Sequence, residues 1–87
     1  MDEQEVIEGL ENEGFGEVIT HDDFSETTYS DRTHEKKSVH VIVRGSMTLV
    51  VQGKTTELGI GDRLDVPAGA VHSITIGPEG CRYVFAE

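Results

Sequence analysis

The chain has 87 residues, with 17 carboxylates against seven lysines and arginines and a net charge of −10. A chain of this length buries only about 60–65% of its unfolded surface, so it has room for one core. The acidity argues against nucleic acid as a partner, and the absence of an apolar run near the ~20 residues of a membrane span argues against a membrane protein.

The start of the chain is acidic and unlike a signal peptide, so a cytoplasmic protein is expected. Cys81 is the only cysteine, which excludes an internal disulfide and a CxxC zinc site. Charge is unevenly spread: residues 1–31 carry eleven carboxylates and no Lys or Arg, whereas residues 32–87 carry six carboxylates against seven basic groups. Such a run reads first as a solvated face, with an acidic docking surface or adaptation to high salt as the alternatives.

In chain order, Asp2 to Gly14 reads as a short helix. Val6, Ile7 and Leu10 share a face, acidic residues occupy the first turn, and Gly14 is a stop. Three apolar residues cannot hold a helix alone, so it must dock on the rest of the fold or on a partner subunit. Residues 1–15 are therefore assigned to this helix and 16–87 to a β-domain, one unit overall. Strands are expected near Glu17–His21, Glu26–Tyr29, Ser38–Arg44, Met47–Gln52, Lys54–Leu58, Arg63–Val66, His72–Ile76 and Arg82–Phe85. Gln52-Gly53 reads as a hairpin tip, His21 as a solvated turn residue, and Asp22 and Asp23 as facing opposite sides. Eight short strands with regular turns imply an all-β sandwich or barrel.

Two strands show their facing. An inward His72 takes Ile74 and Ile76 with it and leaves Val71, Ser73 and Thr75 outside. In Ser38–Arg44, Ser38, His40 and Ile42 share one face and Val39, Val41 and Val43 the other, so both faces need a cover. The helix or a second subunit could supply it.

Gly61-Asp62-Arg63-Leu64-Asp65-Val66-Pro67-Ala68-Gly69-Ala70-Val71-His72 carries the sharpest signal. Gly61-Asp62 makes a turn, Leu64 and Val66 alternate with charged residues, Pro67 stops the strand, Gly69 allows a second turn and His72 opens the next strand. This G-x5-P-x-G-x2-H pattern resembles the second signature motif of the cupin superfamily. The resemblance covers residues 29–87 and implies an RmlC-like, small double-sheet jelly-roll barrel with a short N-terminal α-helix. It implies a metal-ligand role for His72, and pairing into a homodimer.

The first cupin motif is degenerate here. Counting back from Gly45 puts Ser38 at the Glu position, His34 at the second His and Arg32 at the first. Counting forward from His34 as the first His puts His40 at the Glu position and Lys36 at the second His. In either register His34, His40 and His72 are the candidate ligands of a divalent metal: Zn, Fe, Mn, Ni or Cu. Arg32 either pairs with Asp31 or Glu35 at the surface or faces inward, where its planar fork suits a carboxylate or phosphate. Ile76 stands where the family often has Asn, which makes the pocket floor apolar.

The leading expectation is a cupin that binds a divalent metal through His34, His40 and His72 together with a small molecule. If it is an enzyme, the ion would act as a Lewis acid or oxygen-activating centre. The alternative is a metal-free module for an anionic metabolite, with Arg32 and Ser38 as substrate-binding residues. A third reading is an interaction protein that works through its acidic helix. No catalytic residue is assigned: no nucleophile–base pair, phosphate loop or paired-carboxylate site stands out.

Overall fold

The acidic N-terminal segment forms helix α1, Glu3–Asn12, in the computed structural model, which describes residues 2–87. Asp2 caps it, its Oδ1 accepting from the backbone N–H groups of Gln4 at 2.9 Å and Glu5 at 3.4 Å. Gly14, with φ 100°, turns the chain out of the helix, as the expected stop requires. No helix is long and apolar enough to cross a membrane among the described residues.

Six strands follow: β1 Val18–Asp23, β2 Thr28–Arg32, β3 Ser38–Val51, β4 Lys54–Leu58, β5 Arg63–Val66 and β6 His72–Ala86. They differ from the eight expected because β3 and β6 each run through a bend where two strands were expected. All the pairings are antiparallel. The first half of β3 pairs with β5 and with the second half of β6, which also pairs with β1. The second half of β3 pairs with β4 and with the first half of β6, which also pairs with β2. Two four-stranded layers result, β1-β6-β3-β5 and β2-β6-β3-β4, sharing their two long strands. This is the double-sheet jelly roll.

The bend sits at glycines for a steric reason. Gly45 has φ 79°, and a Cβ there would collide with the carbonyl oxygen of Gly80; one on Gly77 would collide with the Ser46 hydroxyl. The register slips at the same place, between Ile42 and Arg44 and between Gly45 and Met47. The slip changes which side chains face inward, from even positions (Ser38, His40, Ile42) to odd ones (Met47, Leu49). At the hairpin tip, Gln52 and Gly53 both have positive φ, 49° and 82°, the signature of a two-residue type I′ turn.

Ile42, Met47, Leu49, Leu58, Val66, Ile74 and Ile76 fill the space between the layers. On the outside of the first layer, Val39, Val41, Val84 and Ala86 pack with Leu10, flanked by Val6, Ile7, Phe15 and Val18. The helix is thus the cover for the second apolar face of β3. Two arginines fasten it: Arg82 Nε and Nη2 donate to Glu3 at 2.7 and 3.1 Å, and Arg63 donates to both oxygens of Glu13 at 2.7 and 2.8 Å.

Candidate functional site

Pro67 follows the last residue of β5, Gly69 turns at φ 76°, and His72 is the first residue of β6. The Gly69 N–H donates to the His34 carbonyl at 2.9 Å, tying the loop between β2 and β3 to this turn. His34 is thereby brought beside His72, their rings stacked with centroids 5.1 Å apart and planes at 29°. His40 projects inward from β3, two residues from Ile42, and Arg32 lies opposite His72 in the β2–β6 ladder.

These side chains open onto one cavity of about 130 Å³, lined by His21, Tyr29, Arg32, His34, His40, His72, Ile74, Tyr83 and Phe85. Ser38 is not part of that lining. It is fully buried on the same strand face, and its hydroxyl has no partner. His21 is half-buried on β1 and stacks on Tyr83 at 5.3 Å, so it is a cavity residue and not a solvated turn residue. Val71 is exposed, while His72, Ile74 and Ile76 are buried, as strand period requires. Ile74 reaches the cavity; Ile76 belongs to the core below it.

Sequence reasoning missed four lining residues: His21, Tyr29, Tyr83 and Phe85. Tyr83 and Phe85 alternate with Val84 and Ala86, which pack under the helix, so their facing was readable from strand period. Asp23 joins the two tyrosines, accepting from Tyr29 at 3.0 Å and from Tyr83 at 2.9 Å. Burial first, then this carboxylate, raises both phenols above the ordinary tyrosine range. Asp22, on the opposite side of β1, pairs instead with Arg82 at 3.0 Å.

The imidazoles differ in environment. His72 Nδ1 lies 3.2 Å from the Ala70 carbonyl, which can only accept, so this nitrogen carries the proton. Its Nε2 is buried without a partner, as is Nδ1 of His40. Burial, reinforced by His72, His34 and His21, pushes His40 down to about 4, so it is neutral at pH 7. Arg32 is exposed at the rim, with its guanidinium carbon 4.9 Å from the centre of the Tyr29 ring. Among the described residues it forms no salt bridge with Asp31, Glu35 or any other carboxylate.

A three-histidine metal site needs nitrogens about 2.0–2.1 Å from the ion, which places the ring centres about 5 Å apart. His34 and His72 have that spacing. His40 instead packs against Phe85 at 5.3 Å and Tyr83 at 5.8 Å, and Phe85 also lies 5.5 Å from His34. Among the described residues no three His, Cys, Asp or Glu side chains are placed to hold an ion.

Residues 14–85 match the model of a family described as the AraC-like ligand binding domain. Solved structures share the fold. An RmlC-like cupin from Shewanella frigidimarina superposes with TM-score 0.73 at 20% identity, over 79% of this chain and 61% of that one. KdgF from a Halomonas species gives 0.69 at 17% identity, over 79% and 66%. An oxalate decarboxylase from Bacillus subtilis gives 0.75 at 18% identity, over 79% of this chain and 20% of that one. The chain thus spans less than two thirds of the length of each of these proteins. No curated protein matches it by sequence.

Proposed function

The chain belongs to the AraC-like ligand-binding domain family of the cupin superfamily, and from that premise we propose that it binds a small anionic molecule in the barrel cavity without a metal. The observation that carries this reading is Arg32. In a chain of net charge −10, it is a cation at the cavity rim with no carboxylate partner among the described residues, while Arg63 and Arg82 are both paired. Its guanidinium carbon lies 4.9 Å from the centre of the Tyr29 ring, which holds the cation at the rim, and its planar fork suits an oxyanion there.

Inside the rim, His72 Nε2 and His40 Nδ1 are buried polar atoms lacking partners, and a bound polar group would satisfy them. Ile74, Phe85 and the ring faces supply the apolar lining usual for small-molecule sites, where a few polar groups fix orientation. Ser38, which the sequence suggested as a ligand contact, has no part in this reading.

Thermal denaturation of the full chain with small carboxylates, phosphate and sulfate tests the proposal. Stabilisation by at least one anion is expected, and Arg32→Ala should abolish it without changing the melting temperature of the free protein. Stabilisation that survives Arg32→Ala would reject the assignment. Protein purified without a histidine tag should carry no stoichiometric metal and gain no stability from Zn, Fe, Mn, Ni or Cu. One equivalent of metal, lost in His72→Ala, would replace this reading with the metal-binding one.

A further inference from the structure

We propose that the anion is a carboxylate borne on a single aromatic ring; this rests on the anion-binding reading above and names its chemical class. The cavity volume is about 130 Å³, close to the roughly 150 Å³ that accommodates one benzene molecule. Of its nine lining residues, seven carry rings and only Ile74 is aliphatic. The rings already meet one another in stacked and tilted pairs, His34 on His72 at 5.1 Å and His21 on Tyr83 at 5.3 Å. Each ring pair that a guest forms by offset or edge contact improves binding by about two- to tenfold beyond its buried area. A saturated ring of the same size gains only the burial.

The polar groups exclude other classes of similar size. A sugar needs several free acceptors and donors around its hydroxyls, because a buried hydroxyl without a partner is costly. Asp23 lies outside the lining and already accepts from Tyr29 and Tyr83, so the lining's unpartnered buried atoms left for a sugar's hydroxyls are two imidazole nitrogens, His72 Nε2 and His40 Nδ1. A polyanion needs several cations, and the lining offers one guanidinium. One carboxylate at the rim on Arg32, with its ring lying inward against Phe85 and Tyr83, uses the one guanidinium of the lining and its aromatic walls.

Calorimetric titration of the full chain with benzoate, cyclohexanecarboxylate, benzyl alcohol and a monosaccharide tests this. Benzoate should bind at least about fivefold tighter than cyclohexanecarboxylate. It should lose about tenfold or more in Arg32→Ala, as removal of a charged hydrogen-bond partner requires. Phe85→Leu should narrow the preference over cyclohexanecarboxylate. Equal binding of the two acids would overturn the ring assignment while leaving the anion reading intact. Binding of none of the four would overturn the ring assignment, and binding of the monosaccharide alone, or of benzyl alcohol as tightly as benzoate, would overturn both.

Discussion

Replacing His40 by leucine should change how stability depends on pH, in a direction and by an amount the cavity dictates. In the folded protein this imidazole titrates at about 4, against an ordinary value of 6.5, because its charged form would be buried among other imidazoles and rings. Between those values the unfolded chain binds a proton at His40 that the folded chain refuses. Stability therefore rises with pH across the window from 4 to 6.5, and is lost on acidification through it. At pH 7 the two states differ little in protonation. At pH 5 the unfolded state is favoured by about 2 kcal/mol through this one group. That corresponds to roughly 8–16 °C in melting temperature for a domain of this size.

The carboxylates contribute their own pH dependence, but they are common to wild type and His40→Leu and cancel in the difference. Urea denaturation of both proteins at pH 5 and pH 7 supplies the four free energies required. The wild type should lose about 2 kcal/mol more than the variant between the two pH values. If the two slopes agree within about 0.5 kcal/mol, the ordinary limit of additivity, then His40 is not held neutral in the cavity and the reasoning fails.

Three further substitutions probe the frame around the site. Leu10→Ala removes the buried anchor of α1 and should cost about 2–4 kcal/mol in urea denaturation; a loss under about 1 kcal/mol would mean that the helix is not seated on the sheet. Gly45→Ala combines a positive φ with a collision against the Gly80 carbonyl and should cost at least about 2 kcal/mol. Gly53→Asn, at a tip with open space around it, should cost under about 1 kcal/mol, and equal losses at the two sites would refute the close-approach account. Tyr83→Phe leaves one Asp23 oxygen without its donor and should cost about 1–2 kcal/mol by the same method, whereas an unchanged stability would show that the bond contributes nothing.

Features that depend on neighbouring residues were legible before the fold was known. Gly61, Pro67 and Gly69 place His72 at the start of a strand because turn geometry and a missing N–H act within a few residues. Strand period likewise placed His72, Ile74 and Ile76 on one side, and the helix cap and stop were visible at Asp2 and Gly14. Period tells which side a residue takes but not what it meets there. That His40 lies against Phe85 and Tyr83 follows from pairing β3 with β6, elements far apart in the chain.

Asp23 shows the same limit. Its alternation with Asp22 was readable, but the tyrosines that occupy it come from two other strands. Arg82 and Glu3 are 79 positions apart, Arg63 and Glu13 are 50 apart, and no local rule couples them. A cupin barrel with an inward histidine at its mouth is readable from the residues alone, because those signals are short-range. What surrounds that histidine, a ring-lined cavity with Arg32 at its rim, comes from strand register across the two layers, which no local rule sets.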